Sequence, residues 1–176
     1  MSLNVGMSSS LAGLSTLISD QGLDIVFLQE VRLNNEQLNL LIDKLGFQAV
    51  VNIDPDHPLK PGTALAWRKT LPVSNISTLV LCRAQVATLG NYMLLYIYSP
   101  SGSEKKHDRN VFFSQEIFKA STLNHEATWV IGGDFNCVLK SEDIEGVVGY
   151  QQKYCPALKD LVRTSNISDV FRHKYP

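Results

Sequence analysis

The 176 residues are 44% hydrophobic and 19% charged, which excludes a disordered chain and fits an ordinary globular protein. The net charge of -1 carries no basic surplus of the kind through which nucleic-acid binders displace counterions, so any contact with DNA is expected to be weak, local or helped by another chain. At this length a single domain over residues 1–176, with a sizeable core, is expected.

Cys82, Cys137 and Cys155 are scattered and odd in number. Their spacing suggests neither a disulfide framework nor a metal-ligand pair, and a reducing intracellular location, nuclear or cytoplasmic, is expected. The N-terminus has no basic flank and no apolar run long enough for a leader or a membrane span. The N-x-S sequons at Asn75 and Asn166 are therefore expected to be chance matches.

In chain order, Ser2 to Val5 reads as a short strand. Ser9 and Ser10 offer caps for a helix with Leu11, Leu14, Leu17 and Ile18 on its apolar face, ended by Gly22. Ile25 to Leu28 is a continuous β-favouring run, as expected of a strand covered on both faces. Asn35 can cap a second helix through Leu38, Leu41, Ile42 and Leu45, closed by Gly46. A strand through Ala49, Val50, Val51 and Ile53 follows. Residues 54–62 hold three prolines and read as a loop, and Thr63 to Trp67 returns to strand. Arg83 to Thr88 and Tyr92 to Tyr98 form a hairpin about Gly90-Asn91. Ser103 to Leu123 reads as helix, with Val111, Phe112, Ile117 and Phe118 inward. Trp129 to Ile131 reads as another buried strand, and Pro156 to Val162 as a last helix with proline in its first turn. Strands and helices mixed in this way predict an α/β (α+β) fold of packed sheets flanked by helices.

Three places could carry chemistry. In Gly132-Gly133-Asp134-Phe135-Asn136, glycines let the backbone bend and a ligand approach, and Asp134 and Asn136 can project in one direction. A carboxylate and an amide so placed suit the handling of a water and an anionic oxygen; equally, Asx side chains can simply cap a turn. Glu30 follows a buried strand at its C-terminal end, where open α/β architectures tend to bind ligands; the alternative is a solvated loop residue. Tyr98-Ser99-Pro100-Ser101 puts a phenol at a strand end before a fixed turn. Asn4, ending the first strand, is a weaker candidate.

The order of these pieces resembles the endonuclease/exonuclease/phosphatase superfamily, which includes deoxyribonuclease I, apurinic endonucleases and inositol phosphatases. Phe27-Leu28-Gln29-Glu30, Tyr98-Ser99-Pro100, Gly133-Asp134-Phe135-Asn136-Cys137 and Asp169-Val170-Phe171-Arg172 look most like the branch carried by LINE-type retrotransposons. Gly62 to Ala66 looks like that family's glycine-led strand. The resemblance implies a four-layer αββα sandwich of the deoxyribonuclease I type, with the site at one rim. It implies that Glu30 binds Mg²⁺ (or Mn²⁺) with Asn4 beside it. It also implies that Asp134 orients or deprotonates the attacking water, Asn136 holds the phosphate, Tyr98 contacts a phosphate oxygen and Ser101 contacts the substrate. DNA is then the partner, and no membrane is involved.

The family pattern continues past Arg172 into a Ser-Arg-x-Asp-like strand and a terminal Ser-Asp-His, which the 176 residues do not include. The expectations that follow are impaired turnover, a domain lacking its last strands and self-association through an exposed sheet edge. Asp56-His57-Pro58 imitates Asp-His only superficially, because it lies in the proline-rich loop; His107, His125 and His173 fall on helix, loop and tail positions. Two other readings stand beside a DNA-nicking enzyme: a non-catalytic binding module of the same fold, and a superfamily phosphohydrolase with another substrate.

Overall fold

The computed structural model describes residues 2–4, 13, 14, 16, 18, 20–57, 60–121, 127–144 and 153–174. The caps expected at Ser9 and Ser10, and His125, lie outside them. The chain divides into two compact units, Met1–Tyr98 with Val130–Asp134, and Ser99–Trp129 with Phe135–Pro176.

The first unit holds two four-stranded sheets. One contains β1 (Ser2–Asn4), β2 (Ile25–Val31), β3 (Phe47–Asn52) and β4 (Gly62–Arg68) in the order β1-β2-β4-β3. The other contains β5 (Val73–Val80), β6 (Ala84–Leu89), β7 (Tyr92–Tyr98) and β8 (Thr128–Asp134) in sequence order. β1 runs parallel to β2 with Asn4 opposite Gln29, and β2 runs antiparallel to β4. Side chains alternate along β2 and β4 in a way that sorts them by size. Val26, Leu28, Ala64 and Ala66 face Leu14, Ile18 and the helix α1 (Asn35–Ile42) through Leu38 and Ile42. Phe27, Leu65 and Trp67 face Ala87, Leu94 and Tyr96 of the second sheet, and the Phe27 and Tyr96 rings stack at 4.9 Å. Small residues under the helices and large ones between the sheets explain why β4 is buried almost throughout.

Several local readings are corrected. Asn34, not Asn35, caps α1 in a reciprocal capping box with Gln37, which frees the Asn35 side chain to accept from Val51 N at 2.7 Å. Leu41 is 51% exposed and does not join the core. β5 escapes the sequence pattern because its burial does not alternate: two register irregularities interrupt its pairing with β6. β8 is a sheet-edge strand among the described residues and is not buried, with Val130 at 42% exposure.

The second unit is largely helical. Helical backbone runs from Ser103 to Ser121 through α2 (Lys106–Val111), a wider π-type segment (Phe112–Ile117) and α3 (Phe118–Ser121). The π segment shifts the helical phase, so Phe112, Phe113 and Ile117 are buried while Phe118 is turned 37% out. Helix α4 (Pro156–Thr164) has the expected proline start. Helix α5 (Val170–Lys174) is capped by Asp169, whose Oδ1 accepts from Arg172 N at 3.1 Å. Arg172 pairs through its guanidinium with Asp143, so the ends of the Asp-Val-Phe-Arg motif both have structural partners. No described helix is long and apolar enough to cross a membrane.

Candidate functional site

Glu30 lies inside β2 rather than after it. The pairing shifts register between Gln29 and Val31, and Glu30 sits in that bulge with a φ of 57°. A bulge re-aims one side chain while the strand continues on both sides of it. A left-handed φ on a non-glycine residue is also strained, which is common where a side chain serves a purpose. The bulge is accommodated opposite Gly62, where a Cβ would come within 2.3 Å of Asn52 O. Asn4 is brought beside this point by the β1–β2 register, opposite the neighbouring Gln29.

Tyr98 is 5% exposed at the end of β7, and its Oη donates to Glu30 Oε1 at 3.4 Å, a long and weak hydrogen bond. Behind it stands Arg83, which sequence reasoning missed. The Arg83 guanidinium carbon lies 4.6 Å from the Tyr98 ring centroid, and Arg83 O accepts from Tyr98 N at 2.7 Å. Arg83 is presented by a turn that a buried asparagine clamps. Asn52 Oδ1 accepts from Cys82 N at 2.9 Å, and its Nδ2 donates to Val80 O at 3.0 Å and Ala84 O at 3.3 Å. Cys82 itself is fully buried with a φ of 62°. Nothing in the local sequence marks this clamp, because Asn52 and Arg83 meet only through the sheets.

Asp134 ends β8 behind two glycines whose places are set by close approach. A Cβ on Gly133 would meet Ile97 O at 1.8 Å, and one on Gly132 would meet the Phe27 ring at 2.7 Å. Gly133 also has a φ of 134°, which L side chains avoid. Asp134 is half-buried and acts electrostatically on Tyr96. Burial foremost pushes the Tyr96 phenol well above its ordinary 10.0; its hydrogen bond with the Gln29 side chain pulls it back, and the charges of Asp134 and Tyr98 push it further up. Tyr96 Oη donates to Leu28 O at 2.5 Å, so this tyrosine is a neutral strut and not a proton source.

In the second unit, Asn136 has a φ of 47° and donates from Nδ2 to Ser99 O at 3.1 Å. Ser99 Oγ in turn donates to Phe135 O, and the Phe135 ring stacks on Phe113 at 6.1 Å. The turn after Ser99 is held by fully buried Arg109, whose Nη1 donates to Pro100 O at 3.1 Å and Gly102 O at 2.5 Å. Ser101 is exposed at the tip of that turn.

His57 does not pair with its neighbour Asp56. Its Nδ1 lies 3.2 Å from Asp54 Oδ2, and Lys60 Nζ lies 3.5 Å from the same oxygen. Burial works against the Asp54 carboxylate, but the Asp56 N–H, the His57 ring and Lys60 outweigh it and hold its pKa below the ordinary 3.8. This knot braces the loop after β3.

Among the described residues, no three His, Cys, Asp or Glu side chains gather as a metal cage. The described residues therefore supply no tetrahedral zinc centre. The half-buried Glu30 carboxylate fits magnesium or manganese, which accept one or two carboxylates and keep their waters.

Residues 1–152 match the model of the Endonuclease/Exonuclease/phosphatase family. Among solved structures the chain is similar to an AP endonuclease from Archaeoglobus fulgidus, with a TM-score of 0.78 and 17% identity over 98% of this chain and 72% of that one. It is similar to a 3' phosphatase, NExo, from Neisseria bound to product DNA hairpin, with a TM-score of 0.76 and 16% identity over 98% and 72%. A humanized D. rerio TDP2 gives a TM-score of 0.59 at 20% identity, covering 81% of this chain and 62% of that one. At these identities the likeness is one of fold, α/β and deoxyribonuclease I-like as expected. Curated protein sequences give no match.

Proposed function

The chain belongs to the endonuclease/exonuclease/phosphatase family, and from that premise we propose that it is a Mg²⁺- or Mn²⁺-dependent phosphodiesterase of the LINE endonuclease type that nicks DNA. The observation that supports this most is Glu30, turned out of β2 by a bulge and met by the Tyr98 hydroxyl at 3.4 Å. A carboxylate presented at the cost of strained backbone, with a phenol donor beside it, suits a metal-bound phosphate better than it suits a loop.

In the proposed reaction Glu30 would hold the metal, with Asn4 beside it on the neighbouring strand. When bound there, a divalent metal would supply charge neutralisation at the scissile phosphate. Asp134 accepts a proton from the attacking water at its carboxylate and aims that water in line with the P–O bond that breaks, and the leaving oxygen takes up a proton from solvent. The family resemblance assigns a contact with a phosphate oxygen to the Asn136 amide and another to the Tyr98 hydroxyl. Ser101, exposed on the turn after β7, contacts the flanking backbone of the substrate. A net charge of -1 fits weak engagement of DNA through this site. The three free cysteines support a nuclear or cytoplasmic location. The β8 edge, with Val130 42% exposed, supports self-association.

Manganese binding tests the metal assignment. Calorimetry should show one Mn²⁺ per chain, weakened about 10-fold or more in Glu30→Gln and kept in Tyr98→Phe, with anomalous density beside Glu30 in crystals. Density elsewhere, with none at Glu30, would overturn it. Metal binding without nicking would favour the non-catalytic binding module.

A further inference from the structure

Cys137 and Cys155 are 18 positions apart and show no relation in the sequence, yet the fold of the second unit brings them together. Val138 and Tyr154 form a parallel bridge, and Val138 N donates to Lys153 O at 3.1 Å. Cys137 immediately precedes one end of that bridge and Cys155 immediately follows the other, and the two side chains are hydrogen-bonded to each other. Around them is a fixed frame. Cys155 caps α4 from a 1%-exposed position, and its Sγ lies 3.4 Å from Asn110 Oδ1, which also accepts from Ala157 N at 3.3 Å. Cys137 is only half-buried, the more exposed of the two.

We propose that Cys137 and Cys155 are a reversible redox site that closes to a disulfide under a peroxide-class oxidant. The thiol chemistry agrees with the geometry. The hydrogen bond from Cys137 holds the Cys155 thiol down to about 7, against burial, helped by the Leu158 and Ala157 N–H groups of α4 and by the charge of Arg109. Cys155 is thus the sulfur that ionises first, with the proton of the pair kept on Cys137. The Cys155 thiolate takes the Cys137 proton as the more exposed Cys137 sulfur attacks one oxygen of hydrogen peroxide. The O–O bond breaks, hydroxide leaves and takes up a proton, and Cys137 is left as a sulfenic acid. Cys155 then gives up its proton and its sulfur attacks Cys137 Sγ, expelling hydroxide that departs as water. Two thiols and one peroxide become one disulfide and two waters. Disulfides of this kind in reducing compartments are typically transient sensors. Cys82 serves as an internal control: burial pushes its thiol above the ordinary 9.0, and it is fully enclosed in the first unit.

The full chain, treated with dilute hydrogen peroxide, should lose the mass of two hydrogens. Peptide mapping should link Cys137 to Cys155, and dithiothreitol should restore the starting mass. The oxidised protein should melt about 5 °C or more above the reduced one, because the cross-link closes a loop of the unfolded chain. Cys137→Ser and Cys155→Ser should each keep both hydrogens, whereas Cys82→Ser should still lose them. Addition of oxygen to separate cysteines without a link, or a link through Cys82, would overturn the proposal. None of these readouts depends on nuclease activity.

Discussion

Tyr98 is gripped from opposite sides. Its hydroxyl reaches Glu30 at 3.4 Å, while the Arg83 guanidinium covers its ring at 4.6 Å. A cation over a phenol ring contributes about 0.5–2 kcal/mol and fixes the ring's plane. Arg83 is therefore a positioning residue for the phenol in the proposed reaction. Removing it in Arg83→Gln should lower kcat about 10-fold with little change in KM, because the phenol is then held less firmly for the transition state. Arg83→Lys, which retains a cation, should recover part of the rate. An Arg83→Gln enzyme as fast as the parent would show that Tyr98 needs no support. Little of this was legible in the chain. The strand-end places of Tyr98 and Asp134 could be read from apolar runs that stop. The Glu30 bulge and the Arg83 contact could not, since each depends on a strand distant in sequence.

Elements are placed here by what they approach, and β8 shows it most sharply. Its Gly133 leaves no room for a Cβ, because Ile97 O lies 1.8 Å from where that atom would be. The obstacle is backbone, so it cannot swing away as a side chain would. Gly133→Ala should destabilise the protein by about 3 kcal/mol or more, from combined backbone strain and overpacking. Chemical denaturation would measure it, and a loss under ~1 kcal/mol would show that β7 and β8 can separate without cost. At this scale the sequence was a fair guide to β2, β4, β6, β7 and α4, where periodicity or turn chemistry is strong. It failed where periodicity breaks for physical reasons: the irregular pairing of β5 with β6, and the π segment that turns Phe113 in and Phe118 out. The asparagine cap was displaced by one residue because two adjacent asparagines compete, and only Asn34 finds Gln37 at N3.

Over the whole molecule, two carboxylates in different units tie loops down and titrate accordingly. Asp143 is held below its ordinary 3.8 first by its hydrogen bond to Arg172, against burial. Asp54 is held below the same value by Asp56, His57 and Lys60, which outweigh its burial. Both folded-state values are depressed, so their stabilisation is present above the unfolded pKa near 3.8 and is lost as pH falls through the lower folded values. Stability should therefore decline below about pH 4, and Asp143→Asn should flatten that decline while costing little, as exposed pairs do. A melt of Asp143→Asn with the same acid limb as the parent would contradict this. Sedimentation over a concentration range addresses the β8 edge: association should weaken in Val130→Lys, and a parent that stays monomeric throughout would remove the edge from consideration.

The most direct test of the proposed chemistry is the relaxation of supercoiled plasmid with Mg²⁺ or Mn²⁺ titrated in. Open circles should form in proportion to bound metal and cease with EDTA. Asp134→Ala should lower the rate about 10²-fold or more, and Glu30→Gln should recover activity only at higher metal concentration. Relaxation that persists in EDTA, or an Asp134→Ala chain that nicks at the parent rate, would contradict a metal-dependent phosphodiesterase centred on Glu30 and Asp134.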